Sequence, residues 1–231
     1  MTKQGFAVAI DGPVGVGKST TARMVAVKLG MTYIDTGAMY RTVALYLLER
    51  GINLYAAQVE TYLDDIDIDL RYENGLQHVY LNNRDVTTDI RTQAVSEGAS
   101  VVAAHKSVRE KLVAQQKQLA ATGRVVMDGR DIGSHVLPWA QVKIYLDADL
   151  DIRAKRRALD LEANGQPADF EEIRRETIVR DERDINRVNS PLIRTPDAVN
   201  IDTGLMTRDE VVATIVNIVN KREETPCSTD S

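Results

Sequence analysis

The chain has 231 residues, 43% hydrophobic and 27% charged, which suits one α/β domain with insertions or two small domains. A formal net charge of -5 excludes bulk attraction to nucleic acid or anionic lipid, so any anion site must come from locally placed cations. The single cysteine, Cys227, allows no intrachain disulfide, and no apolar run approaches the ~20 residues that span a bilayer, so a cytoplasmic protein is expected.

In chain order, short apolar runs at 6–10 (FAVAI), 32–34, 124–127, 142–146 and 198–201 read as strands. They rarely alternate with polar residues, as parallel strands covered on both faces should not. Helical patterns fill several gaps, among them 19–30, where Gly30 is a natural stop. Together these predict a βαβ core with a parallel sheet.

Between the second and third runs lie about ninety residues, far more than one crossover helix needs, so an inserted substructure is expected. Within it, residues 66–86 carry Asn74-Gly75 between β-rich segments and predict a small antiparallel sheet. A second, charge-dense insertion at 151–189 reads as helical with a break at Gly165 and Pro167, and the end of the chain reads as a disordered tail.

After the first strand comes Gly12-Pro13-Val14-Gly15-Val16-Gly17-Lys18-Ser19, which satisfies G-x-x-x-x-G-K-[ST], with Thr20 following. Such a loop curls its amides around phosphates, Lys18 adds a mobile charge, and Ser19 offers a hydroxyl to Mg²⁺. A strand before it and a helix after it give the context the motif requires. The motif does not separate kinases from GTPases, but Asn220-Lys221-Arg222-Glu223 lacks the aspartate of a guanine-reading N-K-x-D, which disfavours a GTPase.

Asp128 ends the third strand, where a carboxylate can hold Mg²⁺; a turn or cap role is the alternative. Arg41, near the start of a helical pattern, could grip an anion or pair with Glu49. Arg153, Arg156 and Arg157 stack at i, i+3 and i+4, either as a functional cluster or as a solvated face.

The ordered set IDGPVGVGKST, YIDTGAMYR, DIRTQAVSEGAS, VREKL, MDGRDIG, RAKRR and RDERDINR resembles bacterial cytidylate kinase, the CMP/dCMP member of the nucleoside monophosphate kinases. The resemblance implies a P-loop three-layer α/β fold with a five-stranded parallel sheet of order 2-3-1-4-5, a monophosphate-binding insert with a small antiparallel sheet, and a helical lid. The expected division is a core of 1–36, 116–150 and 190–223, a CMP-binding insert of 37–115, a lid region of 151–189, and a tail of 224–231. It implies an ATP-dependent kinase that passes the γ-phosphoryl group to CMP or dCMP with Mg²⁺, as a monomer, without nucleic-acid or membrane partners.

Cytosine presents an amino donor at N4 beside acceptors at N3 and O2, so its reader needs oxygen acceptors and one cationic donor. The resemblance assigns Ser100, Arg109 and Asp131 to that task. It further implies Thr36, Arg41, Arg130, Arg180, Asp184 and Arg187 for the CMP phosphate and ribose, and Arg153, Arg156 and Arg157 for the ATP phosphates. Lys18, Arg130 and Arg187 are the expected catalytic cations, and Ser19 and Asp128 the metal residues.

Two geometric expectations accompany this set. Ser100 and Arg109 would lie on opposite sides of one continuous helix at about 100° per residue, so a break is required between them. Ser107-Val108-Arg109-Glu110 reads as a capping box that starts a new helix at Ser107. Arg180, Asp184 and Arg187 are spaced for one helical face. A P-loop kinase for another small acceptor and a nucleotide-sensing module without turnover are the competing readings.

Overall fold

The structure, a computed structural model, describes residues 5–73, 76–163, 165 and 167–224. Asn74-Gly75, and the tail from 225 onward with Cys227, lie outside the described residues. The chain opens with β1 (Phe6–Asp11), α1 (Lys18–Leu29), β2 (Thr32–Asp35) and α2 (Thr36–Glu49). There follow β3 (Ile68–Glu73), β4 (Leu76–Leu81), β5 (Arg84–Asp85), α3 (Gln93–Val102) and α4 (Lys106–Ala120). Then come β6 (Arg124–Asp128), β7 (Val142–Asp147), α5 (Leu150–Ala163), α6 (Phe170–Asn186), β8 (Val199–Asp202) and α7 (Arg208–Glu224). Glu224, expected in the tail, is the last residue of α7.

Among the described residues two compact units emerge, one within 5–33, 120–186 and 190–224, the other within 34–119 and 187–189. The first holds a five-stranded sheet of order β2-β6-β1-β7-β8. Counted along the chain this is 2-3-1-4-5, and the β1–β6, β1–β7 and β7–β8 pairings are parallel. Central β1 and β6 are apolar almost throughout because helices cover both faces, whereas edge strand β8 buries only Ile201.

Against this sheet α1 lays Ala22, Val25 and Ala26, and α7 lays Val211, Val212, Ile215 and Val219. Fully burying each Val or Ile contributes about 1.5–3 kcal/mol. Gly30 ends α1 in a left-handed conformation, with its N–H donated back to Ala26 and Val27. Thr207 and Glu210 exchange side-chain to backbone bonds at the start of α7, a capping box the sequence reading passed over. α5 and α6 form a helical pair over Ala154, Leu161 and Ile173, joined through the Gly165 break.

The second unit contains the antiparallel sheet β3-β4-β5, as expected for residues 66–86. Its β4–β5 turn is Asn82-Asn83, both with positive φ, the hairpin turn that matches strand twist. α3 and α4 are separate helices, so the required break exists, but Ser107 does not make it. α4 begins at Lys106, the His105 carbonyl accepts the Arg109 N–H, and the buried Ser107 hydroxyl has no partner among the described residues. Among the described residues, no helix is long and apolar enough to cross a membrane.

Candidate active site

The loop from Gly12 to Ser19 sits at the C-terminal end of β1, with Gly12, Gly15 and Gly17 all at positive φ. Gly12 is doubly constrained, since a Cβ there would lie 2.1 Å from the Leu146 carbonyl oxygen. Lys18 is buried and its Nζ donates to the Pro13 carbonyl across the loop at 2.5 Å. Burial above all, then the charge of Arg130, pulls the Lys18 pKa well below its ordinary value, against the pull of Asp128, Asp184 and Asp11.

From beneath, the loop is clasped through Val14. Its N–H donates to Asp181 Oδ1 (3.2 Å), and its carbonyl accepts from Arg153 Nη1 (3.0 Å). Arg153 and Asp181 themselves pair at 2.5 Å, both largely buried, and Arg153 Nε reaches the Ala148 carbonyl. Arg156 is committed to Thr203, through its Oγ1 (3.0 Å) and its carbonyl (2.7 Å). Of the three arginines expected over the ATP phosphates, Arg153 and Arg156 thus brace the core with protein acceptors, while Arg157 shares their helix and is half-buried.

Ser19 and Asp128 are brought together as expected, Ser19 Oγ donating to Asp128 Oδ2 at 2.8 Å. Tyr33, which the sequence reading did not single out, donates its hydroxyl to Asp128 Oδ1 at 2.9 Å. No group of three or more His, Cys, Asp or Glu residues that could hold a metal exists among the described residues. One hydroxyl and one carboxylate beside a phosphate loop nonetheless fit Mg²⁺, which keeps several waters and takes substrate phosphate oxygens.

Beyond β6, Arg130 Nε donates to Asp184 Oδ2 at 2.7 Å. Burial opposes its charge, but Asp184, then Asp181 and Asp128, outweigh that and raise its pKa. Arg180 and Asp184 both lie on α6, as spaced. Arg187 does not share that face, because α6 ends at Asn186, so the helical-face expectation holds for two of its three members.

Asp131 is buried and precedes a helical turn at Ile132–Val136, to which its side chain gives no cap. The cap comes from Asp11 at the end of β1, another residue the reading missed. Its Oδ1 accepts the Ile132 N–H (2.8 Å) and its Oδ2 the Gly133 N–H (2.7 Å). Burial pushes the Asp11 pKa up to about 7; the two amides and Lys18 pull it down, and Asp131 pushes it further up.

In the other unit, Asp35 caps α2, taking the Ala38 N–H at Oδ1 and Arg41 Nη2 at Oδ2, each at 2.8 Å. Burial opposes its charge, yet Arg41 and Arg91 hold its pKa below the usual carboxylate range. Arg41 therefore pairs with Asp35 and not with Glu49, which is engaged by Arg84. Thr36 is buried at the first position of α2, and Ser100 is buried on α3. Arg109 is buried in the first turn of α4, its guanidinium 5.6 Å from the centre of the Tyr40 ring.

A family model described as cytidylate kinase matches residues 8–221. A cytidylate kinase of Geobacillus thermodenitrificans is 47% identical over 216 residues, covering 93% of this chain and 96% of its own. That of Shouchella clausii is 45% identical over 219 residues, covering 94% and 97%. Among solved structures, a gluconokinase from Sinorhizobium meliloti superposes with a TM-score of 0.51 over 97% of each chain at 11% identity, a likeness of fold alone.

Proposed function

The chain belongs to the cytidylate kinase family, and from that premise we propose how its side chains carry the reaction. It is an ATP-dependent kinase that transfers the γ-phosphoryl group of ATP to the 5′-phosphate of CMP or dCMP, giving CDP or dCDP and ADP. The observation that supports the residue roles best is the Ser19–Asp128 contact directly behind the phosphate loop.

The acceptor phosphate is already anionic, so no strong general base is needed and catalysis consists of positioning and charge stabilisation. The loop Gly12–Ser19 with Thr20 wraps the ATP phosphates through its backbone N–H groups, which Pro13 lacks, with Arg157 beside it, Arg153 bracing the loop at Val14 and Arg156 held on Thr203. Lys18 leaves the Pro13 carbonyl for the transferring group, joined by Arg187 and Arg130. Ser19 and Asp128 would hold Mg²⁺, which offsets charge on the phosphoryl oxygens when bound. Thr36 and Arg41 serve the acceptor phosphate, Arg180 and Asp184 the ribose, and Ser100, Arg109 and Asp131 the cytosine edge. A net charge of -5 supports a protein without nucleic-acid partners, and the single cysteine suits a reducing compartment such as the cytoplasm.

An acceptor screen tests the reading. With MgATP, CMP and dCMP should yield ADP far faster than UMP, dTMP or AMP; a preference for one of those three, or ligand-dependent compaction without ADP, overturns it. For the base, Asp131→Asn should lower the CMP-to-UMP ratio of kcat/KM by on the order of 10² or more, because uracil presents acceptor O4 where cytosine presents a donor. An unchanged ratio removes Asp131 from base reading.

A further inference from the structure

The turn Ile132–Val136 opens with amides that have no partner inside it, as every helical turn does. The common remedy is local, the preceding Asp, Asn, Ser or Thr folding its own side chain back onto the amides two and three positions on. Asp131 stands at that position, and Gly133 is one of those two amides. Yet Asp131 makes no side-chain cap; only its carbonyl joins the turn, accepting from His135 (2.9 Å) and Val136 (3.1 Å).

The donors are instead taken by Asp11, 121 positions away from Ile132. Each of its two oxygens accepts one amide, at 2.8 and 2.7 Å, so the carboxylate is matched to the pair of donors. Asp11 itself is 6% exposed and held on a central strand, which makes it a rigid anchor. The fit is close, since a Cβ on Gly133 would stand 3.4 Å from Asp11 Oδ2 and 3.2 Å from Lys143 Cδ.

We propose that Asp11 is a specificity-positioning residue that caps the 132–136 turn in place of Asp131, so that the Asp131 carboxylate is not drawn back onto its own backbone and stays directed to the amino group of the cytosine base. The proposal rests on the reading of Asp131 as a base-contacting acid. Deleting the Asp11 carboxylate re-exposes the Gly133 amide, and Asp131 becomes its nearest replacement acceptor along the chain. Base discrimination is then lost without any change at Asp131 itself.

The test compares Asp11→Ala and Asp11→Asn with Asp131→Asn, measuring kcat and KM for CMP, UMP and ATP. Asn at position 11 keeps the shape but can accept only one of the two amides. Both Asp11 variants should raise KM for CMP and lower the CMP-to-UMP ratio by on the order of tenfold or more, with KM for ATP within about twofold. Combined with Asp131→Asn, Asp11→Ala should cause little further loss of the ratio, because both act on one contact. If Asp131→Asn lowers the ratio but folded Asp11 variants do not, or if the losses add in full, the Asp11 proposal falls and the base reading stands. If Asp131→Asn leaves the ratio unchanged, the base reading falls and takes the proposal with it. Should Asp11→Ala fail to fold, Asp11→Asn alone decides, by the same ratio and the same combination.

Discussion

Asp11→Asn also makes a prediction about stability and pH. In the folded protein burial raises the Asp11 pKa to about 7, from its ordinary value of 3.8. A group whose folded pKa is raised binds its proton more tightly when folded, so its contribution is fully present below the unfolded pKa. It is lost as pH rises through the folded pKa. Taken over the whole window the shift corresponds to about 4 kcal/mol at 1.36 kcal/mol per pKa unit. Between about pH 4.5 and about pH 7.5 the linkage integral is about 3 kcal/mol. Asparagine cannot titrate, so the difference in unfolding free energy, wild type minus Asp11→Asn, should become about 3 kcal/mol less favourable to wild type over that interval. The unpaired amide in the variant adds an offset that does not change with pH, and the carboxylates that do not interact with Asp11 cancel in the difference. Urea denaturation of both proteins at several pH values measures it. A difference that stays flat, or one that grows with pH in favour of wild type, refutes the reasoning.

Three further outcomes are expected. Lys18→Ala should lower kcat by about 10²-fold or more, since its charge acts on the transition state, and a single-turnover rate within a few-fold of wild type removes the role. Tyr33→Phe deletes the hydrogen bond to Asp128 Oδ1 and should raise the Mg²⁺ concentration for half-maximal rate by about 10-fold or more, leaving KM for CMP unchanged; an identical Mg²⁺ titration refutes it. Asp181→Ala leaves Arg153 buried without its carboxylate and the Val14 N–H without its acceptor, so it should cost about 3–5 kcal/mol in chemical denaturation and raise KM for ATP, and a loss under about 1 kcal/mol contradicts it.

The core was legible in the sequence for a simple reason: strands buried on both faces must be apolar along their length, and each of the five expected runs is a strand within two residues of its predicted bounds. The phosphate loop was legible because its constraints are local, glycines at positive φ followed by a lysine and a hydroxyl. The break before Arg109 was required by spacing and exists, but Ser107 lies inside α4, so the capping box was the wrong cause. Arg187 was spaced for a helix that has already ended. Asp11, Tyr33 and Asp181 escaped notice because each acts on a partner far along the chain, 121, 95 and 167 positions away, and no pattern of neighbours announces such a contact.

One element of the sheet explains how so many buried charges coexist at these strand ends. In the β1–β6 register Ile10 stands opposite Asp128, so Asp128 shares a face with Ile10 and not with Asp11, the next residue. The pleat therefore sends the two carboxylates to opposite faces: Asp128 toward Ser19 and Tyr33, Asp11 toward the amides of Ile132 and Gly133. Placed on one face, two buried acids so close would compete for protons and one would be neutral. Parted by a single residue of register, each finds its own donors. Lys18 lies within the field of both, which partly offsets the cost of its burial. A one-residue slip of β6 against β1 would put both acids on one face, so the register that buries the core is also the register that parts Asp128, the proposed metal residue, from Asp11, the proposed support of Asp131.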